Sequence, residues 1–182
     1  MTSSLPESSS ELLKWEPLVL TEDKIRWLWD QMQQFPQLWD DFNRNDFDTF
    51  VAKLMYARNI FVDIGPGIGI AAGMGVKPGL DMVIHLVMFD RRLRGREPTF
   101  LAILHEFVSL LKLQRVTAII PQDCTLAIRL VKRLGFTEEG MLKNATIRDG
   151  KLLNVYVFGL LKDELDAKVS ARASGSPAST AA

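Results

Sequence analysis

The densest run of chemistry-bearing residues is the segment 89–98, in which Arg91, Arg92, Arg94 and Arg96 surround Gly95 and Glu97-Pro98 follow at once. The pattern around it is a strand that ends in a basic loop and opens into a helix. A helix N-terminus attracts anions, because its first N–H groups lack intrahelical partners and the dipole is positive there. A glycine lets a phosphate approach the backbone, and guanidinium groups add charge-assisted hydrogen bonds. Such a loop suits a diphosphate; a solvated basic loop is the plainer reading of the same residues. Four positions before this segment stands His85, which strand alternation places on one face with Val83, Val87 and Phe89. An imidazole with an ordinary pKa of about 6.5 can deprotonate an amine near neutral pH, directly or through water. The plainer alternative is a half-buried histidine bonded to a backbone carbonyl. Cys124 precedes a predicted helix, a place that lowers a thiol pKa. Spacing puts no histidine beside it, so it is not read as a nucleophile. His105 is read as surface or capping chemistry, and Asp123 as a cap or a substrate contact.

A second motif is more conspicuous and carries less. Asp63, Gly65, Gly67 and Gly69 form a D-x-G-x-G-x-G run, which resembles the S-adenosylmethionine site of Rossmann-like methyltransferases. That motif works when the glycine turn leads straight into a helix. Here Gly73, Gly75 and then Lys77-Pro78-Gly79 follow, and glycine costs about 1 kcal/mol at each helical position. The expected structure is therefore a tight hairpin whose glycines supply positive φ. Methyl transfer is kept only as the weakest alternative.

The elements that must position these residues are legible from periodicity. Thr21 is a candidate N-cap, with Ile25, Leu28, Trp29 and Met32 at helical spacing after it and a break at Pro36. A second helix begins near Asp46 and carries Phe47, Phe50, Val51, Leu54 and Met55 on one stripe. Trp27 and Trp29, two positions apart, cannot share a helix face, which predicts that one is exposed as a partner surface. Strands are predicted over 59–64, 68–76, 80–89 and 115–121, with helices over 98–112 and 125–134. Pro98 opens the first of these helices and Gly135 closes the second. Two last strands, 136–147 and 152–161, flank Asp149-Gly150, a strong hairpin signal; a short strand over 16–20 precedes the whole. The order implies an α+β, or mixed α/β, fold around a mostly antiparallel sheet.

Composition bounds the rest. The 182 residues include 22 Lys and Arg against 22 Asp and Glu, so overall charge draws the chain neither to nucleic acid nor to an anionic membrane. The longest uncharged run, 64–76, is well short of the ~20 residues a membrane span needs. One cysteine and two histidines exclude an internal disulfide and a multi-cysteine metal site, so no metal is expected. No secretory signal is visible, and a cytoplasmic protein is expected. Residues 1–13 and 167–182, rich in Ser and Ala with little to bury, are expected to be disordered tails around a single domain over 14–166.

At this point the chain resembles the GNAT family, the Gcn5-related N-acetyltransferases. Arg92-Leu93-Arg94-Gly95-Arg96-Glu97 occupies the frame of the family's Q/R-x-x-G-x-G/A loop. Ala127, Leu130, Gly135, Phe136, Glu139 and Gly140 fit its N-x-x-A-x-x-L-x-x-x-x-G-F-x-x-E-G stretch. The resemblance implies a twisted sheet of six to seven strands flanked by about four helices. It also implies acetyl-CoA as cosubstrate and direct attack of a primary amine on the thioester. The acceptor is a protein N-terminus, a lysine or a small molecule, and a homodimer is an available assembly. By position, Val87 and Phe89 would offer backbone contacts on a splayed central strand. Arg92, Leu93, Arg94, Gly95, Arg96 and Thr99 would hold the diphosphate, Cys124 would take the place of the family's frequent asparagine, and His85 is the candidate general base. Four positions depart from the pattern: Glu97 and Pro98 in the loop, Val83 where the usual glutamate base falls, and Val131 where a thiolate-protonating tyrosine often falls. These departures favour a competing reading, a GNAT-fold binding or structural module that has lost its cosubstrate.

Overall fold

The structure is a computed structural model, and it describes residues 15–65, 67–89 and 95–174. The expected tail 1–13, the loop residues Arg91, Arg92, Leu93 and Arg94, and the last part of the expected tail, 175–182, lie outside the described residues. The chain begins with a short strand β1 (Glu16–Pro17), helix α1 (Glu22–Gln33), a single 3-10 turn (Pro36–Leu38) and helix α2 (Phe47–Leu54). Both helices start where their sequences say. The Thr21 hydroxyl accepts the Lys24 N–H at 3.3 Å, and the Asp46 carboxylate accepts the Thr49 N–H at 2.9 Å, each satisfying a donor the first turn leaves orphaned.

Strands β2 (Ile60–Gly65), β3 (Gly69–Lys77) and β4 (Asp81–Met88) follow, then α3 (Glu97–Leu111), β5 (Arg115–Pro121), α4 (Thr125–Leu134), β6 (Thr137–Arg148), β7 (Lys151–Leu161) and α5 (Lys162–Ala173). Seven strands form one sheet in the order β1-β2-β3-β4-β5-β7-β6. Every adjacent pair is antiparallel except β4 with β5. The fold is α+β, as expected. The glycine run is the β2–β3 hairpin, with Gly65 and Gly67 at positive φ, and no helix follows it; this removes the structural basis for the methyltransferase reading.

Alternation divides the strands between two hydrophobic layers. Val62, Ala71, Met82, Ile84, Val116, Ala118 and Phe158 pack with buried residues of α3, α4 and α5 on one face. Their neighbours Phe61, Ile70 and Phe89 turn to the other face and pack with Ile25, Leu28, Trp39 and Phe50 of the α1–α2 layer. Trp27 and Trp29 do diverge, but neither is exposed. Trp27 stands edge-on to Phe89 with ring centroids 5.4 Å apart, while Trp29 meets Trp39 and Phe47 at 5.1 and 5.4 Å. The partner surface expected from an exposed tryptophan is therefore not there. The C-terminal boundary also needs correction. Residues 167–173 continue α5, because Leu165 is fully buried and Val169 packs against the same core. The Glu164 carboxylate accepts the Leu161 N–H at 2.9 Å at the helix start. Two apolar contacts and one cap hold a segment whose composition alone reads as unstructured.

Candidate active site

The strand pair β4–β5 opens like a V. Its only registered pair is Val83 with Thr117, whereas β4 is paired with β3 from Met74–Val83 out to Gly69–Met88. A polar clasp closes the vertex. The Thr117 hydroxyl donates to the Asp81 carboxylate, whose oxygens lie 2.9 and 3.1 Å away. Arg115 Nε sits 4.0 Å from Asp81, and Arg115 Nη2 donates to Glu139 at 2.6 Å. Past Val83 no registered pair joins β4 to β5, while β5 goes on to pair with β7 as far as Pro121–Val155.

Register decides which backbone groups face the gap, and it corrects the sequence-based expectation. The Phe89 N–H donates to the Ile68 carbonyl at 2.9 Å, so at this residue the backbone turns towards β3. In an antiparallel ladder, alternate residues send both N–H and C=O to the same neighbour. Val87 therefore shares the β3 side, and the backbone groups presented to the gap belong to Leu86 and Met88. Side-chain alternation alone could not reveal this, because the face a side chain takes and the edge its backbone serves are separate parities.

His85 lies on β4 two residues past the vertex, with its side chain on the face that Phe89 shares with the α1–α2 layer. The residue is exposed, yet enough protein surrounds it that burial lowers its pKa from the ordinary 6.5. Protein packed around part of the ring satisfies both observations: the residue stays exposed, and the imidazolium is still disfavoured. No carboxylate or carbonyl is bonded to it among the described residues, so the carbonyl-bonded alternative is absent. The direction of the shift leaves His85 neutral at pH 7, the form a base needs.

At the open end of β4, Gly95 adopts φ +81° and leads into Arg96, the N-cap of α3, which offers no side-chain cap. Glu97, the anion in this turn, is engaged: Arg133 Nε of α4 donates to its carboxylate at 2.8 Å. Pro98 occupies the first turn and removes one N–H from it. Across the gap, Cys124 is the N-cap of α4. Its thiol is not activated as its helix position suggested. Burial pushes its pKa up, with the nearby Arg148 pulling only partly the other way. Val131, at the position of the family's tyrosine, is buried in the core.

The rim on the α1–α2 side was not legible in the sequence. Arg148, at the end of β6 and itself buried, donates through Nε to the Trp39 carbonyl at 2.8 Å and through Nη1 to the Asp123 carboxylate. Asp123 is therefore an ion-pair partner rather than a helix cap. Asp41 accepts the Asp149 and Gly150 N–H groups, each at 2.8 Å, and those two bonds hold its carboxyl below the usual range. The Asp-Gly signal located the hairpin tip correctly, but nothing local marks the loop that receives it, more than a hundred residues earlier in the chain.

No family model matches the chain. Among curated proteins, it is 39% identical over 54 residues to an uncharacterized N-acetyltransferase p20 of Bacillus licheniformis, a match covering 30% of either protein. Among solved structures, it is similar to the spermidine N-acetyltransferase of Vibrio cholerae in complex with CoA and spermine. That likeness has a TM-score of 0.67 at 13% identity and covers 83% of this chain and 97% of that one. A mutant form of the spermidine/spermine N-acetyltransferase from the same organism gives 0.66 at 14% identity, covering 87% and 98%. The chain carries the GNAT fold.

Proposed function

We propose that this GNAT-fold chain is an acetyl-CoA-dependent N-acetyltransferase acting on a primary amine. The observation that carries the reading is the V between β4 and β5, closed by a clasp at Val83–Thr117 and open beside His85. Its free edge can pair with an extended amide-bearing chain such as a pantetheine arm, through the backbone groups of Leu86 and Met88. The diphosphate would then reach Gly95, Arg96 and Thr99 at the start of α3, with Arg92, Leu93 and Arg94 of the preceding loop. Val87 and Phe89 line the cleft face rather than donating to the arm, and Cys124 lies on the opposite wall.

In the reaction, the amine must lose a proton before its lone pair attacks the thioester carbonyl carbon. His85, neutral and reachable by water, accepts that proton directly or through one water. The C–N bond forms, the C–S bond breaks, and the leaving thiolate takes up a proton from solvent, since Val131 has none to give. The structural neighbours include an enzyme of spermidine in complex with spermine, which makes a polyamine the first acceptor to try. Protein N-termini, lysine side chains and other small amines complete the set. The burial of Val131 and the proline in the α3 turn favour a second reading, a GNAT-fold binding module without turnover.

One assay separates the two: acetyl-CoA with a panel of polyamines, lysine and N-terminal peptides, following release of the free CoA thiol. Amine-dependent release supports the enzyme. Tight CoA binding with no release for any amine, or no CoA binding at all, supports the module.

A further inference from the structure

Glu97 is the first residue of α3, so its carboxylate belongs to the turn whose N–H groups and dipole favour an anion. In the free protein such an acid is welcome there. Towards a bound diphosphate it is a competitor, a like charge at the same positive helix end. The structure shows how this chain handles the conflict. Arg133 of α4 donates through Nε to the Glu97 carboxylate at 2.8 Å, and the carboxylate side chain is only 19% exposed while the arginine is 49% exposed. The acid is thus turned inward and the cation lies over it on the solvent side. Arg133 is held there by its own position, because it occupies the last turn of α4, the negative end of that helix. Its neighbour Lys132 cannot substitute, being engaged by Glu138 at 3.2 Å.

We infer that Arg133 is a positioning residue for the cosubstrate: by holding and neutralising Glu97 it keeps the first turn of α3 receptive to a diphosphate. The inference rests on the acetyl-CoA reading above. It assigns Arg133 no contact with the ligand; the arginine acts through Glu97. Because Pro98 has removed one N–H from the same turn, electrostatic balance matters more here than in a turn with its full set of donors.

The test is CoA affinity by calorimetry at low salt for the unmutated protein, Arg133→Ala, Arg133→Lys, Glu97→Gln and the double variant Glu97→Gln, Arg133→Ala. Melting temperatures serve as a folding control, and Arg133 is exposed enough for its variants to fold. The expected result is a loss of about tenfold in affinity for Arg133→Ala that largely disappears at high salt, where the repulsion is screened. Arg133→Lys should keep most of the affinity, and the double variant should return to within about threefold of the unmutated protein. Three results would overturn the role: Arg133→Ala binding like the unmutated protein, a loss insensitive to salt, or a double variant as weak as Arg133→Ala. The last would mean that Arg133 touches the phosphates itself. Failure of the unmutated protein to bind CoA would remove the acetyl-CoA reading and this role together, and is read from the first titration before any variant is made.

Discussion

The two ends of the β4–β5 pair are built from opposite materials. At the vertex, Asp81, Thr117, Arg115 and Glu139 make a connected polar network across three strands. Past the vertex pair Val83–Thr117, His85, Val87 and Phe89 share the face turned to the α1–α2 layer and the strands share no registered pair. Thr117 is buried and its hydroxyl is satisfied by the Asp81 carboxylate, whereas His85 is exposed and bonded to nothing among the described residues. Only Thr117 of this network is buried, with Asp81 and Arg115 part-exposed, so the cost of breaking it falls on the desolvated Thr117 hydroxyl left without its partner. A lone exposed imidazole contributes little to stability. The opening is therefore a built boundary: the strands are held together up to one residue pair and released after it.

Substitutions at the two ends should therefore affect different quantities. The largest expected effect is on turnover at the open end, where His85→Gln should lower the rate of amine-dependent thiol release by about 10²–10⁴-fold. CoA affinity should be unchanged, and unchanged turnover would take His85 out of the chemistry. At the vertex, Asp81→Ala should lower stability by about 1–3 kcal/mol, since it strands the Thr117 hydroxyl and leaves Arg115 without one of its acids. His85→Gln should stay within about 0.5 kcal/mol at pH 7.5. Urea denaturation of both variants reads the contrast directly, and equal losses would erase the distinction between the two ends.

A pH series sharpens it further. The pKa of His85 is lowered in the folded protein by burial, so below 6.5 the unfolded chain takes up the proton first. Stability relative to His85→Gln should be unaffected above pH 6.5 and fall progressively as pH drops from there through the folded pKa. The acid limb of kcat/KM should likewise lie below pH 6.5; a limb at or above that value contradicts a lowered base. The smallest effect concerns Cys124. With its thiol pKa pushed up by burial, alkylation at pH 7.5 should be slower than that of an unstructured cysteine peptide by about tenfold. Rapid labelling would show the opposite wall of the cleft to be more open than described.

Local signals in the chain are strong where one short segment decides the outcome. Thr21, Asp46 and Gly135 bound their helices, the 65–69 glycines make a hairpin, and Asp149-Gly150 makes the tight β6–β7 turn with both residues at positive φ. His85 was placed on the right face for the same reason, because alternation is a local rule. What escaped depends on pairing between distant segments. Whether Val87 or Leu86 presents its backbone to the gap follows from the register of β4 on β3. The neutralisation of Glu97 needs Arg133, thirty-six residues away. The clamp of Arg148 on the Trp39 carbonyl spans one hundred and nine. Even the extent of α5 was decided by where Leu165 and Val169 land on the core, and their Ser- and Ala-rich surroundings hide that from a reading by composition.

In the proposed reaction the free edge of β4 receives the pantetheine arm of acetyl-CoA. Residue-resolved amide hydrogen exchange with and without CoA tests it most directly. The expected result is CoA-dependent protection at the gap-facing amides of Leu86 and Met88, with Phe89, already bonded to the Ile68 carbonyl, unchanged. No CoA-dependent protection along 84–88, or protection confined to Val87, would contradict it.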